Sequence, residues 1–267
     1  MKKIRLDVLL VEKNIFPSRE QARRAIMAGE ILVDNMRVDK PGTIVACDSQ
    51  VTFMGKTMPY VSRGGYKLKK AIENFKLNLL DKVVIDIGAS TGGFTDCVLK
   101  YGAQKVYAVD VGYGQLAWSL RNHPKVVVME RTNARELTVS MFPDKADLIT
   151  VDVSFISVNI ILSILYPLLK PLGQIVILVK PQFEAGRHLV GKKGVVKDPT
   201  VHINVIKSII NEAFKQGFVA KKLDYSPITG PEGNIEFLLL LELTGDISVN
   251  EDMIKSVVED SKRLLKK

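Results

Sequence analysis

The feature that most constrains this chain is the run Val83-Val84-Ile85-Asp86-Ile87, which ends in Gly88-Ala89-Ser90-Thr91-Gly92-Gly93-Phe94 and continues as a helix-forming segment to Tyr101. A short apolar run bounded by glycine is what a strand buried on both faces requires. The small residues after it let a ligand approach the backbone closely. Strand, glycine loop and helix in that order form the first unit of an open α/β sheet, whose ligands sit beyond the carboxyl ends of the strands.

The chain then repeats this alternation. Strand-like runs fall at Val83–Ile87, Lys105–Val109, Val126–Met129, Asp147–Val151, Gln174–Val179, Phe218–Leu223 and Glu236–Leu243, with helical or loop segments between most of them. They predict an α/β domain with a seven-stranded, Rossmann-like sheet. The last connection, Ser226 to Asn234, is too short and too rich in Pro and Gly for a crossover helix. The seventh strand is therefore expected to run antiparallel to the others.

The glycine loop limits the ligand. It is not G-x-G-x-x-G, and it lacks the Lys-Ser/Thr ending of a P-loop, so dinucleotide and triphosphate readings are disfavoured. Asp110 closes the second strand 22 residues past Gly88, where a carboxylate can accept hydrogen bonds from both ribose hydroxyls. Adenosine with an uncharged or positive tail suits this arrangement, which makes S-adenosylmethionine the expected cofactor. Asp86, Gly88, Ala89, Ser90, Thr91, Gly92, Gly93 and Phe94 are its candidate loop contacts, with Asp110 and Val111 at the second strand. Asn133, after the third strand, is placed to meet the adenine edge.

Four more residues converge on the same edge. Asp152 ends the fourth strand and Lys180 the fifth; Glu236 opens the antiparallel seventh strand, so its beginning lies where the others end. Lys67 precedes a helix whose Leu68, Ala71, Ile72 and Phe75 form an apolar face. Two lysines and two carboxylates at one pocket make a mutually neutralising set in which one lysine can serve as proton acceptor. Taken singly, each reads as a solvated surface charge; the four together on one edge beside the glycine loop do not. Lys69 and Lys70 compete with Lys67 for the first position, and Asp152 doubles as a cofactor contact.

At 267 residues the chain has room for a second, smaller domain. Residues Ile4 to Lys13 carry Leu6, Leu9 and Leu10 at helical spacing. Ser18 and Gln21 fit a capping box for a second helix, Arg19 to Ala28, which Gly29 ends. Ile31 and Val33, the turn pair Asp34-Asn35, then Met36 and Val38 read as a hairpin, with a further strand at Gln50–Phe53. This small α+β module spans 1–60, with an exit linker at about 55–61, and the larger domain occupies 62–267.

The formal net charge of +9 favours a polyanionic partner without naming it. The longest apolar stretch, Val158 to Leu169, is shorter than the roughly 20 residues a membrane span needs and reads as a buried helix. Early charges at Arg5, Asp7 and Glu12 argue against a signal peptide. Two cysteines, Cys47 and Cys97, supply neither a disulfide framework nor a zinc site, so the expected location is the cytoplasm, without a metal. Nothing in the sequence calls for a protein partner or a membrane. The C-terminal segment Asp252 to Leu265 is amphipathic, with Ile254, Val257, Val258, Ser261, Leu264 and Leu265 on one side; docking on the domain and membrane contact are its two readings.

Residues 1–60 resemble the RNA-binding domain first known from ribosomal protein S-four, through Arg5-Leu6-Asp7, Ser18-Arg19-Glu20-Gln21-Ala22 and Gly29-Glu30-Ile31-Leu32-Val33-Asp34. The resemblance implies that Arg19, Arg23 and Arg24 touch RNA phosphates, with Arg5 beside them; otherwise they form a solvated face. The segments Ser62-Arg63-Gly64-Gly65-Tyr66-Lys67-Leu68, Asp86 to Thr95, Val111-Gly112-Tyr113-Gly114-Gln115-Leu116-Ala117-Trp118, Asp152-Val153-Ser154-Phe155-Ile156-Ser157 and Val179-Lys180-Pro181-Gln182-Phe183-Glu184 resemble the TlyA family. That family, historically labelled haemolysin A, contains ribosomal RNA 2′-O-ribose methyltransferases with an FtsJ-like catalytic domain. The resemblance implies a Lys-Asp-Lys-Glu working set at Lys67, Asp152, Lys180 and Glu236, and a cytidine in the RNA of one or both ribosomal subunits as the target. Arg63 and the glycine-rich basic loop carrying Arg187, Lys192 and Lys193 are further candidate RNA contacts, the loop being equally readable as exposed and free. Membrane lysis and non-catalytic RNA binding stand as the alternative functions.

Overall fold

A computed structural model describes residues 3–55 and 58–265. The chain divides into two compact units, Met1–Pro59 and Tyr60–Lys267. In the first, β1 (Lys3–Arg5) leads directly into α1 (Leu6–Glu12), followed by α2 (Arg19–Met27), β2 (Ile31–Val33), β3 (Met36–Arg37), β4 (Ile44–Ala46) and β5 (Val51–Phe53). Leu6, Leu9 and Leu10 of α1 pack with Ala22, Ala25 and Ile26 of α2, and with Ile31, Val33 and Val45. Ser18 caps α2 by accepting from the Gln21 N–H at 3.3 Å. Asp34 and Asn35 both take positive φ, the conformation a two-residue hairpin turn demands.

One expectation is corrected here. Helical spacing from Ile4 holds only from Leu6, because Lys3–Arg5 is extended and pairs antiparallel with β4. Strand pairing continues to the point where the Leu6 N–H donates to the Thr43 carbonyl, so these backbone groups are satisfied outside a helix. Of the expected linker, Lys56 and Thr57 lie outside the described residues.

The second unit opens with α3 (Gly64–Phe75) and continues through β6 (Val83–Ile87), α4 (Gly93–Lys100), β7 (Lys105–Val109), α5 (Trp118–Arg121), β8 (Val126–Met129), β9 (Ala146–Val151), α6 (Asn159–Leu165), β10 (Leu169–Val179), α7 (Pro181–Glu184), α8 (Pro199–Lys215), β11 (Val219–Tyr225), β12 (Phe237–Glu242) and α9 (Glu251–Leu265). The seven strands lie in the order β11-β12-β10-β9-β6-β7-β8. Pairs β10–β9, β9–β6, β6–β7 and β7–β8 are parallel, and β12 runs antiparallel to both β10 and β11. β10 begins at Leu169 rather than Gln174, with an irregular register between those two residues.

Alternate residues of each central strand feed two cores. Val84, Leu148, Val176 and Leu238 face α3 and α4, whereas Ile85, Ile149, Ile177 and Leu239 face α6, α8 and α9. The run Val158–Leu169 is helical only as α6 and a single further turn, and then becomes the start of β10. α9 buries Ile254, Val258 and Ser261 in this core; Leu264 stays exposed, outside the docked stripe. No helix among the described residues is long and apolar enough to cross a membrane.

Candidate active site

Parallel strands bring their carboxyl ends to one edge, and the register fixes which residues meet there. Ile87 pairs with Val151, so Gly88 and Asp152 leave the sheet side by side; Val179 pairs with Phe237, which places Lys180 next to Glu236. Gly88 has φ +85°, and a Cβ there would lie 2.5 Å from the Asp152 carbonyl oxygen. Only glycine fits so close an approach. Gly92, at φ +93°, lets the chain turn into α4 against Leu116 and Leu120.

Lys67, Asp152, Lys180 and Glu236 all line one cavity of about 740 Å³. They do so as two ion pairs. Lys67 Nζ donates to Glu236 Oε2 at 2.6 Å, both side chains being almost fully buried. Lys180 Nζ lies 2.6 Å from Asp152 Oδ1 and donates to Ser154 Oγ at 2.9 Å. Asp152 Oδ1 is buried, and Lys180 is the cation that meets its charge. The competing lysines are engaged elsewhere: Lys69 pairs with Glu73 at 3.6 Å, and Lys70 holds Asp224 Oδ1 and the Tyr225 carbonyl, each at 2.8 Å.

The glycine loop forms the adjoining wall through Gly88, Ala89, Ser90, Thr91, Gly93 and Phe94, whereas Gly92 packs inward. Asp86 departs from expectation. Its carboxyl is completely buried and accepts from Thr95 Oγ1 at 2.7 Å and Thr150 Oγ1 at 2.8 Å, so it braces the loop from beneath and does not line the cavity. Burial pushes its pKa up to about 6; the two hydroxyls oppose the rise and the charge of Asp152 adds to it. The strand period explains the placement, since Asp86 shares the Val84 face.

Asp110 is half-buried, with Oδ2 accepting from the Ser90 N–H at 2.8 Å and Oδ1 from the Gly112 N–H at 2.7 Å. Each oxygen retains a lone pair for a ribose hydroxyl. Val111 is exposed, and Asn133 spends its Oδ1 on the Arg135 N–H at 3.1 Å, capping a short turn. None of these three lines the cavity that holds the four charged residues. The close backbone approach at Gly88 and the remaining lone pairs of Asp110 are the features that would hold an S-adenosyl group.

Of the expected RNA contacts, Arg63 borders the cavity, its Nη2 3.4 Å from the Thr229 carbonyl. Arg187 lies in a short exposed turn, and Lys192 and Lys193 are exposed in the loop after it. In the other unit Arg23 is exposed, Arg24 pairs with Glu20, and Arg5 and Arg19 both bind Asp7.

Sequence reasoning missed three parts of the site. Ser154 is the hydroxyl partner of Lys180, two residues past Asp152. Phe155, 90 % exposed and at φ +63°, stands 4.9 Å from the Phe183 ring on the cavity wall. Asn234 joins two loops at the cavity, accepting from the Val196 N–H at 2.9 Å and donating to the Gly194 carbonyl at 2.8 Å. An aromatic following each strand-end charged residue, at Phe155 and Phe183, was the available signal for the second of these.

The model of the FtsJ-like methyltransferases matches residues 60–243, the whole seven-stranded sheet. The chain belongs to the FtsJ-like methyltransferase family. A model of the S4 domain matches residues 4–50. This FtsJ-like methyltransferase is 52 % identical to a Bacillus subtilis protein provisionally named rRNA methyltransferase YqxC, over 99 % of this chain and 96 % of that one. It is 40 % identical to the 16S/23S rRNA (cytidine-2′-O)-methyltransferase TlyA of Mycobacterium tuberculosis, over 96 % of each. A solved structure from Streptococcus thermophilus, described provisionally as a hemolysin, is 45 % identical and superposes with a TM-score of 0.78, covering 100 % of this chain and 98 % of that one. Family and fold together make this an S-adenosylmethionine-dependent enzyme.

Proposed function

We propose that this FtsJ-like methyltransferase methylates a ribose 2′-hydroxyl of ribosomal RNA, at a cytidine of the small subunit, the large subunit or both, in the cytoplasm. The observation that carries the reading is the pairing of Lys67 with Glu236 and of Lys180 with Asp152 at one cavity beside the glycine loop. Residues 1–60 serve as the RNA-holding domain, about 55–61 as its linker, and 62–267 as the catalytic domain. The identity to an enzyme named for cytidine-2′-O methylation of 16S and 23S rRNA supports the substrate.

S-adenosylmethionine, when bound, supplies an electrophilic methyl group. Gly88, Ala89, Ser90 and Thr91 would hold it with Asp110. The chain's own part is to present an oxygen nucleophile. Asp152 holds the Lys180 amine at 2.6 Å on the cavity wall, where that lysine takes or orients the proton of the incoming 2′-hydroxyl. Ser154 fixes the lysine amine, and the Lys67–Glu236 pair sets the charge and position of the opposite wall. Alignment in a partly closed site supplies much of the acceleration.

The test is incubation of the protein with tritiated S-adenosylmethionine and unmodified ribosomal subunits or free ribosomal RNA, followed by mapping of ribose methylation. Label at a ribose supports the reading. Unlabelled RNA from both subunits overturns it, and a Lys180→Ala variant that transfers methyl as fast as wild type overturns the role given to Lys180.

A further inference from the structure

Asp7 is the most deeply buried carboxylate of the N-terminal unit, fully shielded beneath Arg5 and Arg19. It sits at the junction of β1 and α1, where its N–H donates to the Pro41 carbonyl. Burying a carboxylate in so small a core is costly unless it is paired. One arginine suffices for neutrality, and Arg5 provides it as a fork, with Nε 2.9 Å from Oδ1 and Nη2 3.2 Å from Oδ2.

The second cation exceeds that need. Arg19, the first residue of α2, donates from Nη2 to the same Oδ2 at 2.8 Å. Two guanidiniums from different elements thus share one carboxylate and leave a net positive charge. Their side chains remain 48 % and 56 % exposed, and of the five N–H groups each guanidinium carries, Arg5 spends two on Asp7 and Arg19 one. Two guanidiniums held on one carboxylate, Arg5 by two hydrogen bonds and Arg19 by one, still have unspent donors that complement a tetrahedral oxyanion. Elsewhere on α2 the pattern differs, since Arg24 is paired with the exposed Glu20 of its own helix.

We infer that Asp7 is a positioning residue that locks Arg5 and Arg19 into one preorganised clamp for a backbone phosphate of RNA. The inference rests on the RNA reading above and deepens it. Asp7 itself does not touch the ligand; it removes the rotamer freedom two arginines would otherwise lose on binding.

Asp7→Asn separates this role from simple charge, because it raises the net positive charge by one. Attraction by charge alone predicts tighter RNA binding and a steeper salt dependence. The clamp predicts the opposite: affinity of the full-length protein for unmodified ribosomal RNA falls about tenfold, with a shallower salt slope. Arg19→Lys keeps the charge and removes the fork, and is expected to weaken binding similarly. Thermal unfolding identifies any Asp7→Asn failure to fold, in which case Arg19→Lys decides. Affinity equal to or above wild type in folded Asp7→Asn, or unchanged in Arg19→Lys, overturns the clamp. Absence of RNA affinity in the wild-type chain overturns the clamp together with the RNA reading, so the two failures are told apart.

Discussion

The strongest expectations concern single side chains. Lys180→Ala removes the group nearest Asp152 Oδ1, and single-turnover methyl transfer is expected to fall by about 10²–10⁴-fold while S-adenosylmethionine binding is retained. Glu236→Ala leaves Lys67 buried without its counter-charge, which costs about 3–5 kcal/mol and lowers the melting temperature. Replacing both by apolar residues of similar volume recovers most of that stability but no activity. Asp86 carries a pH signature. Its folded pKa of about 6 lies above the ordinary carboxyl value of 3.8, so the folded state holds the proton more tightly and loses stability as pH rises from about 4 to 6. The loss is on the order of 3 kcal/mol. Asp86→Asn is expected to flatten that stretch of the stability–pH curve; an unaltered slope in denaturant titrations would show that Asp86 is not its source.

At the level of elements, the glycine loop is the most sensitive piece. Gly88→Ala must place a methyl group 2.5 Å from the Asp152 carbonyl at a φ that L-residues avoid. It is expected to raise the dissociation constant for S-adenosylmethionine at least tenfold, measured by calorimetry, and to destabilise β6 and β9 together. β6 and β7 were legible because burial on both faces makes them continuous apolar runs, and the edge strand β8 because Val126–Met129 is a run of strand-forming residues despite its partial exposure. β1 was not, since Lys3–Arg5 has no apolar pattern and its partner Ile44–Ala46 is distant in sequence. The start of β10 was hidden for a related reason, as Pro171 and Gly173 interrupt the run before Gln174. Three of the four charged residues could be read from strand ends, but the choice of Lys67 over Lys69 needed the packed position of α3, which periodicity alone leaves open. The inward turn of Asp86 followed from the two-residue strand period and was overlooked because the acid stood beside a ligand loop.

For the whole molecule, the balance of +9 is expected to make the proposed RNA association dependent on salt. Replacing both Lys192 and Lys193 by alanine is expected to reduce the slope of log affinity against log salt by about one to two. An unchanged slope in filter-binding assays would place that loop away from the RNA. The arrangement of the sheet also has a consequence for synthesis. β12 lies between β10 and β11, yet it is the last strand made, so a growing chain halted before Glu236 lacks both the strand and the counter-charge of Lys67. If the proposed site is the working one, methylating ability arrives only when translation of the sheet is finished, and an unfinished copy still on its own ribosome is expected to have no means of acting on the RNA around it.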